Sequence, residues 1–311
     1  MLTVAQKIKI TVIIDNYYDS LLLPGENFYR HRFLKPSGGG IARLAPHISA
    51  EHGFSSYIEV AAGGQKSALL MDFGVSENGA ANNIKALGLD LSVVGAAVLS
   101  HGHYDHFGGL ENVMQLAGKK LPLYVGREVF SRRCLNLPGM RVDLGRLDPQ
   151  RVEAAGCEIR EINQPVEILP GVLSVGPIPR VTDFEQGSPI LAVERDGGIV
   201  SDDFPGEISL VFKTVKGLVI LTACAHNGIV NIARRAVELT GVDKIHAVLG
   251  GFHLSGAPAE KIEKSVDALS GMGIDQIVPM HCTGFEALKL FSERMPGQFV
   301  LYSAGTRYVY S

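Results

Sequence analysis

Three imidazoles and a carboxylate fall within six residues in the stretch Ser100-His101-Gly102-His103-Tyr104-Asp105-His106-Phe107-Gly108-Gly109. Imidazole nitrogen and carboxylate oxygen are the donors that zinc takes, and iron and manganese take them too. If an extended chain runs through His101 and His103, both rings point to one side, because side chains alternate along a strand, and two such rings can share one ion. Gly102 permits close backbone approach, the chain turns through Tyr104, and Asp105 and His106 can then aim at a second ion nearby. Gly108-Gly109 supplies the sharp turn that opens the next element. One or two divalent ions, zinc first and manganese or iron as alternatives, are the cofactors this pattern implies.

The elements that must hold these residues can be read on either side. The apolar run at 93–99 predicts a buried strand feeding the motif, and 110–116 reads as a helix behind it. Ile8, Ile10, Val12 and Ile14 alternate as an N-terminal strand. Residues 55–60 and 67–73 flank a glycine-bearing turn and predict a hairpin whose second strand ends on Asp72. Between them, 16–54 is a long irregular segment containing Ser37-Gly38-Gly39-Gly40, His31, His47 and His52; His52 has the best claim to the site because it leads straight into a core strand. After a strand at 121–125, residues 126–150 read as loop or short helix. They carry Arg127, Arg132, Arg133, Arg141 and Arg146, mostly solvated, with one or two able to grip a phosphate. A strand at 171–175 precedes a polar, turn-rich patch bearing Arg180 and Glu185. Then come Asp202-Asp203 and strands at 208–215 and 218–221. From 218 the pattern alternates strand and helix to a last strand at 299–302. His226, His253 and His281 each stand just after one of these strands, as befits a site built at one edge of a sheet.

Composition narrows the class. The chain has 311 residues, 46% hydrophobic, ample for a full core, and a net charge of -3 that offers no general field for nucleic acid or an acidic membrane. No apolar run approaches the ~18 residues of a membrane span, and no leader pattern opens the chain, so a cytoplasmic, membrane-free protein is the expectation. The four cysteines form no C-x-x-C pair and no disulfide framework is expected. Cys134 and Cys157 read as structural. Cys224 and Cys282 each lie within two residues of a histidine and are site candidates, with a small buried thiol as the plain alternative.

His101-x-His103-x-Asp105-His106 between a strand and Gly108-Gly109, with Ala68-Leu69-Leu70-Met71-Asp72-Phe73-Gly74 before it, resembles the metal-binding motif of the metallo-β-lactamase-fold hydrolases. The resemblance runs from about residue 55 to the C-terminal end. It implies an α/β (α+β) fold, a four-layer αββα sandwich formed as one domain over 1–311. It also makes Asp72 a carboxylate that fixes a metal-site histidine, and His281 the last metal-binding histidine. The chain departs from the family pattern at two places: Asp203 stands where many members carry a metal-binding His, and Cys224 where they carry a bridging Asp. His226, two residues beyond Cys224, is the ligand expected to compensate, while His253 is open among ligand, proton donor and structural roles.

Taken together, the motif, residues 222–231, Gly250-Gly251-Phe252-His253-Leu254 and His281-Cys282-Thr283-Gly284 resemble a narrower group. It is named after 7,8-dihydropterin-6-methyl-4-(β-D-ribofuranosyl)aminobenzene 5′-phosphate synthase. That resemblance implies a metal-dependent displacement of diphosphate, with a phosphorylated pterin or aminobenzoate derivative as substrate. A dinuclear hydrolase of phosphodiesters or lactones is the first alternative, and a small-molecule binding protein without catalysis the second. The expected catalytic residues are Asp105 and His253; the expected metal ligands are His101, His103, Asp105, His106, His226 and His281. Asp72, Asp203, Cys224, Arg180 and Glu185 are expected around them or against substrate. The sequence leaves the oligomeric state open.

Overall fold

The computed structural model describes residues 2–36 and 41–311, so the Ser37–Gly40 run noted above lies outside the described residues. Two sheets face each other. The first has eight strands in the order Cys157–Ile162, Leu121–Gly126, Val94–Leu99, Gln65–Met71, Ser55–Ala62, Ala5–Ile14, Arg307–Tyr310 and Phe28–Tyr29. The second has six, Val166–Leu169, Val172–Ser174, Leu210–Thr214, Gly217–Thr222, Ile245–Gly251 and Gln276–Met280.

Alternation decides which residues meet. Leu69, Met71, Ala96 and Val98 point inward and pack against Phe212, Val219, Leu221, Leu249 and Val278 of the second sheet. Their neighbours Leu70, Ala97 and Leu99 point outward onto Ile84, Val113 and Met114 of the helices Gly79–Leu87 and Leu110–Ala117. On the far side Ile220, Val248 and Ile277 pack against Ile229, Ile232, Val266 and Phe291 of the helices Ile229–Thr240, Ala259–Gly271 and Phe285–Arg294. This is the αββα sandwich. Because the central strands are covered on both faces, they read in the sequence as nearly continuous apolar runs.

Three expectations are corrected. Residues 126–150 are loop and, from Pro149, short helix only at their ends: between these Arg133–Leu137 and Met140–Gly145 form a hairpin that pairs with Leu191–Arg195 and Gly198–Ser201 in a separate four-stranded sheet. Residues 299–302 are not a strand. Only Phe299 bridges to Ile277, and the terminal strand is Arg307–Tyr310, paired with Ala5–Ile14. The irregular segment 16–54 contains a small hairpin, Leu34–Pro36 with Ala42–Leu44. Among the described residues no helix is long and apolar enough to cross a membrane.

Candidate dinuclear metal site

The chemistry gathers where parallel strands end. Val94–Leu99 runs parallel to Gln65–Met71 and Leu121–Gly126, and Gly217–Thr222, Ile245–Gly251 and Gln276–Met280 run parallel to one another. The loops leaving Leu99, Thr222, Gly251 and Met280 carry His101 to His106, Cys224 and His226, His253, and His281 and Cys282.

The first loop is held from its backbone. His103 is extended, and Tyr104–Phe107 forms a single helical turn that swings Asp105 and His106 away from it. The carbonyls of Asp105 and His106 accept the N–H groups of Phe54 and Phe73. Gly102 cannot be replaced without moving the chain, because a Cβ there would sit 2.0 Å from the carbonyl oxygen of Val129. Asp72, buried and at φ +58°, sets two of the rings. Its Oδ2 faces His106 Nδ1 at 2.7 Å and accepts the Ser100 hydroxyl at 2.7 Å, while Oδ1 accepts the Ser100 N–H. Ser100 Oγ in turn lies 2.9 Å from His101 Nδ1. Both rings therefore present Nε2 to the interior of the site.

Two triads result. His101 Nε2 lies 3.1 Å from His103 Nδ1 and 3.1 Å from His226 Nε2. Asp105 Oδ2 lies 3.5 Å from His106 Nε2 and 3.3 Å from His281 Nε2. Burial, reinforced by neighbouring rings, holds His101, His103 and His226 well below the usual imidazole range, so their lone pairs are free near neutral pH. Three neutral nitrogens converging on one point satisfy one another poorly as hydrogen-bond partners and well as metal donors, and the donor set suits zinc or iron. In the second triad burial opposes ionisation of Asp105, but His106 and His281 outweigh it and hold the carboxyl well below its usual range. For His106 the carboxylates of Asp105 and Asp72 outweigh burial and lift the ring to about 10. Cys224 Sγ stands 3.2 Å from His106 Nε2, and its own thiol is pushed far up by burial.

The other expected residues are placed differently. Asp203 pairs with Arg195, which also binds Glu128, and it belongs to neither triad. Glu185 is buried as the acceptor for the N–H groups of Val230 and Asn231 at the start of the helix Ile229–Thr240, so it holds an element rather than a substrate. Arg180 lies against Gly187 and is not among the residues that line the cavity over the triads. Among the described residues no arginine lines that cavity. Arg133 is not solvated but buried on Asp202, 2.8 Å from Nε to Oδ2. His52 reaches the rim, with Nε2 3.5 Å from Asp105 Oδ2; His31 instead contacts the carbonyl of Pro46, and His47 is exposed.

Sequence reading missed several supports. Asp15 is fully buried, its carboxyl pushed up to about 7 by burial, and its Oδ1 accepts the N–H groups of His281 and Asn16. Asn16 Oδ1 lies 3.1 Å from His281 Nδ1. Glu207 accepts the N–H groups of His226 and Asn227, and Phe204 stacks flat on the His226 ring at 3.9 Å. A signal existed for Asp15, which ends the alternating strand at 8–14 as Asp72 ends the apolar run at 68–71.

Residues 50–281 match the family model described as the metallo-beta-lactamase superfamily. Over 261 residues the chain is 31% identical to the 7,8-dihydropterin-6-methyl-4-(beta-D-ribofuranosyl)-aminobenzene-5'-phosphate synthase of Methanocaldococcus jannaschii, covering 82% of this chain and 89% of that protein. It is 30% identical to an uncharacterized protein of the same organism over 78% of this chain and 88% of that one. Among solved structures, Tm1679, described as a metal-dependent hydrolase of the beta-lactamase superfamily, matches with a TM-score of 0.75 at 28% identity, over 96% of this chain and 98% of that one.

Proposed function

The chain belongs to the metallo-beta-lactamase superfamily, and on that premise we propose that it is a metal-dependent enzyme that joins a dihydropterin-methyl diphosphate to a ribofuranosyl-aminobenzene phosphate and releases pyrophosphate. The observation that carries this reading is the pair of triads at the floor of a cavity of about 690 Å³ with apolar walls. Leu135, Leu144 and Leu191 of the small sheet form one wall, and Phe285, Leu301 and Tyr302 form another. Such walls suit a flat heteroaromatic ring whose charged tail reaches the triads. The name of the Methanocaldococcus relative supports the pterin assignment.

Divalent ions at the triads, zinc or alternatively iron or manganese, would supply Lewis-acid stabilisation of the charge growing on the leaving diphosphate. Among the described residues the cavity wall offers no lysine or arginine to do so. His101, His103 and His226 would hold one ion, and Asp105, His106 and His281 the other. His52, at the rim and beside the ionised Asp105, is placed to take the proton that the attacking arylamine sheds.

A hydrolytic reading has one observation of its own. Asp105 Oδ2 faces three imidazoles, of His52, His106 and His281, and a carboxylate so placed can orient a water molecule. Pyrophosphate release assayed with zinc, manganese or iron present separates the readings. Release that needs both the pterin diphosphate and the arylamine supports the synthase. Release from the diphosphate and water alone, or turnover of phosphodiesters or lactones, moves the assignment to a hydrolase. Ligand binding without turnover of either class would leave a binding protein.

A further inference from the structure

Three groups that neither triad uses lie beside the site. Cys282 Sγ is 3.3 Å from Cys224 Sγ, both thiols are free, and a nitrogen of His253 completes a set whose donor atoms all lie within 4.8 Å of one another. His253 Nδ1 is buried and has no hydrogen-bond partner. All three residues line the cavity. We propose that Cys224, His253 and Cys282 form a further metal site, open to the cavity, for a thiophilic ion such as zinc, cadmium or copper(I).

Distance favours a metal over a covalent link. Two sulfurs each about 2.3 Å from one tetrahedral ion sit about 3.8 Å apart, so the contact has to open by only about 0.5 Å. A disulfide at about 2.05 Å would need the contact to close by more than 1 Å. The local fold keeps the sulfurs close. A Cβ on Gly251 would fall 2.2 Å from the carbonyl of Ala223 and 2.8 Å from Cys282 Sγ, so glycine at this strand end is what lets the loops of Cys224 and Cys282 meet. Ala225, His253 and His281 all take positive φ, at +55°, +48° and +45°, an unfavourable backbone repeated around one cluster. Two thiolates and an imidazole form a softer set than the triad containing Asp105, and three protein donors leave one position free toward the cavity.

The site goes beyond the reaction proposed above and stands or falls separately: pyrophosphate release tests the triads, and metal stoichiometry of a Cys282 variant tests the sulfur set. Metal-free full-length protein, kept under a phosphine reductant, is titrated with cobalt(II) and counted by elemental mass spectrometry. The expected result is a third equivalent bound with a near-ultraviolet thiolate-to-cobalt charge-transfer band. Cys282→Ser and His253→Gln should each bind one equivalent fewer, and Cys282→Ser should lose the band along with it. Equal stoichiometry in wild type and Cys282→Ser, or a band that survives undiminished there, would overturn the proposal by leaving Cys224 as a ligand of the triads alone. Thermal melts of the metal-free proteins check folding, and His253→Gln carries the comparison if Cys282→Ser does not fold.

Discussion

At the scale of single residues, the site depends on groups that fix the orientation of its donors. Asp72 never faces the cavity, yet it meets His106 Nδ1 and, through Ser100, His101 Nδ1, so it sets one ring in each triad. Asp72→Ala is expected to weaken metal binding by about 10- to 100-fold, the usual cost of losing such a partner, measured by competition with a chromogenic chelator. An unchanged affinity would show that packing alone orients the rings. His103→Ala removes a donor outright and should lose at least one ion per chain and nearly all turnover, read by elemental mass spectrometry beside the pyrophosphate assay. The histidines and Asp72 are visible in the sequence because they sit directly after apolar runs. Asn16 and Glu207 were not, since their partners are backbone and ring atoms up to 265 residues away.

At the scale of elements, two buried carboxylates tie loops to the sandwich. Glu185 takes two N–H groups at the first turn of the helix Ile229–Thr240, next to the His226 loop. Replacing it with alanine leaves those donors buried without an acceptor, at a cost of about 1–3 kcal/mol that a shift in the denaturant midpoint would report. Arg133 on Asp202 joins the small sheet to the loop that carries Phe204 and Glu207. Arg133→Met alone should destabilise by about 3–5 kcal/mol because Asp202 is left charged and buried, whereas the double variant with Asp202→Leu should recover much of that loss. Equal midpoints for the single and double variants would mean the pair is not a unit. The small sheet itself escaped sequence reading because its strands are short and mixed in polarity, and Leu135 pairs with Leu191 across more than fifty residues.

At the scale of the molecule, both sheets contribute to each triad: His226 and His281 come from the second sheet, and His101, His103, Asp105 and His106 from the first. Ions held there would link the two halves, so stripping them from metal-loaded protein with a chelator should lower the melting temperature by several degrees. Alkaline stability has a separate source. Burial pushes the Cys157 thiol up to about 11 from its ordinary 9.0. The neutral thiol is favoured in the folded chain, so its contribution is complete below pH 9.0 and is lost as pH climbs toward about 11. Cys157→Ala should flatten the fall in stability across that window, and an unchanged slope would place the alkaline transition elsewhere.

The sequence by itself determined the layering and the motif. Strands buried on both faces must be apolar throughout, helices on the outside must be amphipathic, and donors at strand ends follow from period and spacing. Tertiary structure alone decided which donors meet. His226 joins His101 and His103, Asp203 goes instead to Arg195, and Cys224 meets Cys282. The first pairing arises from the packing of two sheets face to face, which brings together loops 125 residues apart, and the last from nearby strand ends within one sheet, 58 residues apart; no local pattern records either meeting.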